Sequence, residues 1–397
     1  MLDYPNKLDI IFDKLNKQNA KPIIVGGFVR DCLLGIESKD IDIEVYNIPS
    51  YEKLENLLKE FGTINSVGKS FGVCKLDFAD MQLDFSLPRK DSKISKGHNG
   101  FEAKINPHLD FKTATSRRDF TINAIGYDPI EKKILDPFSG QKDLKEKRLK
   151  VVDPKKFIQD PLRILRGMQF CARFELTPDK NLLDLSKKMI GDGLLEELSK
   201  DRIYTEFEKL FLKGKKISAG LEFLKITNGI EYFSELKMKR DQWKTTTNFL
   251  DRFANKKTGK DRTDILFAFA MLCYELEDDK TKNFLDKVTN KKDLSRKVLQ
   301  IKNITKYIQK RAKTPSYKEI ISADIDEIRC FLDFLDIKTD LQILKPILTP
   351  KDLIRCNINP SKEFSAILDK AYQTQMEKKF TTHTQAVKWL CELLPPQ

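Results

Sequence analysis

Apolar and polar positions change rhythm about a third of the way along this 397-residue chain. Before about residue 140 the apolar residues come in short runs or strict alternation. Beyond it they recur at three- and four-residue intervals. The first part predicts strands over Ile23–Val25, Ile41–Val45, Val73–Phe78, Met81–Leu87 and Phe120–Tyr127. The second predicts helices over Pro161–Phe174, Leu182–Ile190, Asp201–Leu212, Ala219–Ile226, Ile265–Leu276, Leu294–Lys310, Ile325–Leu335 and Ala386–Leu394. Breaks fall near residues 213–216, 255–260, 311–315 and 349–350, with no internal repeat or low-complexity tract. The pattern reads as an α+β fold, a mixed β-sheet with flanking helices followed by an all-helical region.

The alternation carries chemistry at one place. Ile23-Ile24-Val25 reads as a short buried strand, Gly26-Gly27 turns it, and Phe28 to Gly35 reads as a helix closed by glycine. A second strand follows from Lys39 to Val45. Side chains alternate along a strand, so Asp40, Asp42 and Glu44 share one face while Ile41, Ile43 and Val45 share the other. Paired glycines let a backbone come close to a phosphate, and a helix start offers free N–H groups. Asp40 and Asp42, about 7 Å apart at Cα, can share divalent cations, whereas Glu44 lies about 13 Å along the strand from Asp40. Cradle and carboxylates together describe two-metal phosphoryl transfer.

Three further stretches fit that chemistry. Arg117-Arg118-Asp119-Phe120-Thr121-Ile122-Asn123-Ala124 puts paired guanidinium groups, which match phosphate oxygens bidentately, at the entrance to an apolar strand. In Gln159-Asp160-Pro161-Leu162-Arg163-Ile164-Leu165-Arg166, Pro161 suits a first helical turn with Asp160 at or near the cap. Asp160 and Arg163 are then neighbours at i,i+3, either as a plain ion pair or as an acceptor and a donor that together read a base edge. Met81 to Arg89 reads as a strand whose lone acid is Asp84, a candidate general base.

Charge extends the picture to a partner. Lys and Arg total 72 against 59 Asp and Glu, a net +13, which suits a polyanion, nucleic acid before membrane. The seven scattered cysteines lack Cys-x-x-Cys spacing and read as free thiols in a reducing compartment. Three histidines argue against a histidine metal site, and no signal-like or 18-residue apolar run occurs, so a cytoplasmic protein is expected.

The glycine pair followed by Asp40-x-Asp42 resembles the nucleotidyltransferase superfamily that includes DNA polymerase β. The fuller string Gly26-Gly27-Phe28-Val29-Arg30-Asp31 resembles its bacterial-type tRNA CCA-adding enzymes and poly(A) polymerases. The resemblance is strong over residues 20–212 and faint beyond. It implies a nucleotidyltransferase catalytic head over 1–140, then an elongated helical neck, body and tail over 141–213, 214–314 and 315–397. The neck would carry a nucleotide-selecting template and the tail would bind tRNA. Asp40 and Asp42 would hold Mg²⁺, with Asp84 as base. Gly26, Gly27, Arg30 and Arg118 would cradle the triphosphate, and Asp119 and Asn123 would order the pocket. Asp160 and Arg163 would select CTP and ATP over UTP and GTP, and Arg166 would face the triphosphate or template.

Asp136 to Leu144 resembles the family's head-to-neck connection, and Ser199 to Phe207 its last shared motif, which braces the neck helices. The polar loop from Arg89 to Asp110 resembles one found in full CCA-adding enzymes, which favours completion through the terminal A. Gln159 and Asp201 stand where glutamate is usual, and Gln169 where arginine is common. Tyr274 stands where some relatives carry a His-Asp phosphohydrolase motif, so that appended activity is not expected. The sequence also leaves open a poly(A) polymerase, a partial CC- or A-adding enzyme, or an inactive tRNA-binding relative.

Overall fold

The computed structural model describes residues 2–65, 73–93, 101–309, 314–338, 345–356, 358 and 362–393. Two compact units result, Met1–Leu210 with Gly214–Tyr232, and Phe211–Lys213 with Phe233–Gln397. The first unit opens with α1 (Asp9–Lys17), β1 (Lys21–Val25), α2 (Gly27–Leu33), β2 (Ile41–Tyr46), α3 (Tyr51–Leu58), β3 (Thr63–Asn65), β4 (Val73–Phe78) and β5 (Met81–Ser86). A hairpin of β6 (Arg89–Lys93) and β7 (Phe101–Ile105) follows, then α4 (Phe111–Thr115), β8 (Gly126–Asp128) and β9 (Lys133–Leu135). It continues with α5 (Gly140–Lys145), β10 (Arg148–Leu149), α6 (Pro154–Phe157), α7 (Leu162–Phe174), β11 (Thr177–Pro178), α8 (Lys180–Gly191), α9 (Lys200–Lys213), α10 (Ile217–Ile226) and α11 (Gly229–Tyr232).

Seven strands form one sheet in the order β3-β4-β5-β2-β1-β8-β9. Within this sheet only β2 and β5 run parallel, so the sheet is mixed, as expected of the fold class. Ile23, Ile24, Val25, Ile41, Ile43 and Val45 are buried, which fixes the register, because a one-residue slip would bury Asp42 in place of Ile41 or Ile43. The parallel register sets Asp42 directly beside Asp84 on the neighbouring strand.

One expected strand is replaced. Within Phe120–Tyr127 the chain makes a 3₁₀ turn over Thr121–Asn123, leaving a single bridge from Phe120 to Val151 and a short β8. The Asp119 carboxylate accepts from the Phe120 N–H at 2.8 Å and the Asn123 amide at 2.9 Å, closing the segment on itself. Local side-chain bonds of this kind outcompete a ladder despite the apolar composition.

Helix α7 packs closely on α10, because Gly220 lets it approach: a Cβ there would lie 2.6 Å from the Met168 carbonyl oxygen. Among the described residues the second unit is all-helical: α12 (Arg240–Ala254), α13 (Asp261–Leu272), α14 (Asp278–Val288), α15 (Lys292–Ile308), α16 (Tyr317–Ile321), α17 (Ile325–Phe334), α18 (Pro350–Arg355), α19 (Lys362–Met376) and α20 (His383–Leu393). Helix α13 is buried on every face from Asp264 to Leu272, so it has no apolar stripe, and it stops before the expected Leu276. Beyond its end, Tyr274 is buried and donates to Gln309 at 2.8 Å. No helix among the described residues is long and apolar enough to cross a membrane.

Candidate active site

Carboxylates and an arginine meet at the carboxyl end of β1 and the start of β2. Gly26 turns the chain from β1 into α2 with φ +78°, a conformation that strains any L side chain. An added Cβ at Gly26 would stand 2.7 Å from an Arg118 guanidinium nitrogen and 3.5 Å from Asp42 Oδ2. The missing side chain is thus the space in which Arg118 and Asp42 approach each other. Gly27 begins α2, and a Cβ there would meet Arg30 at an ordinary 3.5 Å.

Asp40 and Asp42 open to solvent. The Asp42 carboxyl is nonetheless pushed above the usual range, by burial of its surroundings first and then by Asp84 and Asp40, with Arg118 and Lys75 opposing. Lys75, unremarked in the sequence, sits across the β4–β5 ladder from Asp84 and places its ammonium 3.3 Å from Asp84 Oδ1. The third acid of the strand face has another task. Glu44 is buried, accepting from Tyr46 at 2.7 Å and from Arg117 at 3.0 Å.

Among the described residues no group of three or more His, Cys, Asp or Glu side chains forms a ready-made metal cage. The oxygen-only donor set of Asp40, Asp42 and Asp84 still fits a hard cation such as Mg²⁺, which is commonly held by one or two carboxylates plus substrate phosphates. Burial, and after it the charges of Asp84 and Asp40, raise the Asp42 pKa, and a bound cation would offset both.

Arg118 lies over Gly26 and makes no hydrogen bond or ion pair among the described residues, although Glu44, Asp42 and Asp119 are near enough to favour its charge. Burial and its neighbour Arg117 press its pKa down. Its sequence neighbours are committed. Asp119 is buried and, besides its two local bonds, accepts from Arg166 Nε at 2.5 Å. Burial alone would raise its pKa, but Arg166 and Asn123 outweigh that and hold it near 2.

Arg30 is placed differently from a phosphate-facing side chain. It is buried, donates to Asp31 at 2.8 Å and to Asn123 at 2.5 Å, and lies 4.6 Å from the Phe174 ring centroid. Arg173 donates to the other oxygen of Asp31 at 3.0 Å. The series Arg173, Asp31, Arg30, Asn123, Asp119, Arg166 therefore starts and ends on α7 and ties it to the catalytic strands. Sequence spacing carried no sign of Arg173.

The expected base readers stand beside α7's first turn. Asp160 precedes the helix, and its Oδ1 accepts from the Leu162 N–H at 3.2 Å and from Arg202 at 3.1 Å. Arg163 donates to the carbonyl oxygens of Lys156 at 2.8 Å and Arg117 at 2.6 Å. Gln169 is buried with its amide oxygen unpartnered among the described residues. Asp136 accepts from the Gly140 and Gln141 N–H groups, and Asp143 from Thr121, so the connection motif braces the Thr121 turn. Residues 94–100 of the Arg89–Asp110 loop lie outside the described residues.

The chain is similar to known proteins over its first half and in its fold. Residues 23–150 match the poly(A) polymerase head domain family. The multifunctional CCA protein of Chromobacterium violaceum is 35% identical over 192 residues, 48% of this chain and 45% of that protein. The CCA-adding enzyme of Francisella tularensis subsp. novicida is 34% identical over 204 residues, 51% and 53% respectively. The match thus spans about half the length of these relatives. The Thermotoga maritima CCA-adding enzyme complexed with tRNA has the same fold, with a TM-score of 0.66 at 22% identity over 99% of this chain and 97% of that one.

Proposed function

We propose that this chain, whose residues 23–150 match the poly(A) polymerase head domain family, adds or repairs the 3′-terminal CCA of tRNA from CTP and ATP. One observation carries the reading. Arg163, the base-reading donor, is anchored on the backbone of Arg117, next to the triphosphate arginine Arg118. Base selection and phosphate binding are then parts of one rigid pocket, as a protein-templated transferase requires.

In this reading the triphosphate lies along Gly26 and Gly27 against Arg118, whose guanidinium lies over Gly26. Arg30, Asp119, Asn123 and Arg166 hold the walls of that pocket. Asp40 and Asp42, with Asp84 beside them, are the ligands for Mg²⁺, which when bound would acidify the tRNA 3′-hydroxyl and neutralise the departing pyrophosphate. The 3′-oxygen attacks the α-phosphorus, the bond to the β-bridging oxygen breaks, and pyrophosphate leaves. Asp84 accepts the hydroxyl proton, with Lys75 engaging its Oδ1. The Asp160 carboxylate accepts from the amino groups of cytosine and adenine, which uracil and guanine lack at the matching position. A net charge of +13 supplies sequence-independent grip on tRNA, and the proposed location is the cytoplasm.

The deciding experiment incubates the protein with tRNA ending before CCA and each nucleotide alone or together. Growth by CC with CTP and completion by ATP supports the proposal. Runs of A without CTP would make the protein a poly(A) polymerase, a halt after CC a partial enzyme, and no incorporation a binding relative.

A further inference from the structure

Asp160 and Arg163 sit three residues apart and carry opposite charges, so their simplest arrangement is to neutralise each other. The structure holds their side chains apart with outside groups. Two main-chain carbonyls take the Arg163 fork. On the acid side the holding group is Arg202, from the first turn of α9, 42 residues away in sequence. Both side chains of the Asp160–Arg202 pair are about three-quarters buried, at 24% and 23% exposure, so the bond is shielded but the site is open on one side.

Both bonds to the Asp160 side chain, from the Leu162 N–H and from Arg202, fall on Oδ1. Oδ2 has no partner among the described residues. A carboxylate fixed through one oxygen presents the other as a directed acceptor, and a fixed acceptor discriminates more sharply than a rotating one. We propose, resting on the functional reading above, that Arg202 is a positioning residue for nucleotide selection. It pins Asp160 through Oδ1 so that Oδ2 points at the amino group of an incoming cytosine or adenine, and it prevents Asp160 from collapsing onto Arg163.

Arg202→Met removes the donor and keeps most of the stem, and Arg202→Lys restores a cation that can reach Oδ1. Equilibrium dialysis of CTP and UTP with divalent metal present reads selection without turnover. The CTP-to-UTP affinity ratio should fall about tenfold in Arg202→Met and recover to within about threefold of wild type in Arg202→Lys. Inhibition by inorganic tripolyphosphate, which senses only the Gly26–Arg118 pocket, should not change. In turnover, KM for CTP should rise while kcat at saturation stays within about twofold. Should Arg202→Met not fold, Arg202→Leu, which also lacks a donor, is read by the same ratios. An unchanged ratio overturns the proposal, as does an equal loss for CTP, UTP and tripolyphosphate. Wild-type CMP and AMP incorporation is measured separately, so its absence counts against the CCA reading while the binding ratios still decide the role of Arg202.

Discussion

The Arg163 guanidinium donates to the main-chain carbonyl of Arg117 at 2.6 Å, across 46 residues of sequence. Arg163 is thereby fastened to the backbone that carries Arg118, and a shift in one is felt by the other. Replacing Arg163 with alanine should loosen both functions unequally. Misincorporation of UMP and GMP should rise about tenfold or more, while turnover with CTP persists. Competition between labelled CTP and UTP on one tRNA end checks this, and unchanged selectivity would remove Arg163 from base reading.

Asp42→Asn should separate activity from stability. The folded protein raises the Asp42 pKa, so ionising this group costs stability, and the cost appears as pH climbs through the raised value. The amide removes the repulsion with Asp84 and Asp40 and also removes a metal ligand. Nucleotide incorporation should fall about a thousandfold, while the melting temperature at neutral pH stays level or increases. A melting temperature several degrees lower would contradict the crowding argument.

Gly26→Ala meets two obstacles, a φ of +78° and an Arg118 nitrogen 2.7 Å from the new Cβ. The backbone cost alone is about 1–2 kcal/mol. Because Arg118 must move, KM for nucleotide should rise more than kcat falls, and tripolyphosphate should inhibit less well. Steady-state kinetics with CTP distinguishes this from simple unfolding, which lowers the active fraction without altering KM.

Asp119 sets an acid limit. Its folded pKa near 2 lies below the unfolded value of about 3.9, so its contribution is present above pH 4 and is lost as pH falls towards 2. A shift of this size is worth about 2 kcal/mol, carried chiefly by Arg166 and Asn123 against the cost of burial. Urea unfolding at pH 5 and pH 3 should show that difference in wild type and a smaller one in Asp119→Asn. Equal pH dependence in the two proteins would mean another carboxylate dominates.

What the sequence made legible was local. Alternation along β2 placed Asp42 on the open face, because strand geometry is fixed by neighbours in the chain, whereas Asp40, expected within the strand, stands exposed just before its start at Ile41. The same alternation put Glu44 on the face of Asp42 but gave no sign that Glu44 is buried and paired with Arg117, 73 residues on. Apolar composition suggested a strand at Phe120–Tyr127, where the side chains of Asp119 and Asn123 bond to each other and turn the chain. The i,i+3 spacing of Asp160 and Arg163 suggested neighbouring side chains, but Asp160 precedes α7, and Arg202 and the Arg117 carbonyl, to which the two side chains bond instead, come from elsewhere in the chain. Distant partners of this kind leave no trace in spacing.

Arg30 gives the sharpest case, because its place in the motif suggests a phosphate ligand and its surroundings suggest a rivet. Its guanidinium is buried between Asp31, Asn123 and the rings of Phe170 and Phe174, the latter two contributed by α7. Removing it leaves Asp31, among the described residues, with Arg173 alone to compensate, and removes the Asn123 contact. Breaking a buried pair in this way costs about 3–5 kcal/mol. Arg30→Met, which fills the space without the charge, should therefore lower stability by several kcal/mol in urea unfolding, and the fraction that stays folded should bind tripolyphosphate nearly as well as wild type. A stable Arg30→Met protein that has lost tripolyphosphate binding would instead make Arg30 a direct phosphate ligand and require its side chain to swing out of the α7 contact when nucleotide arrives.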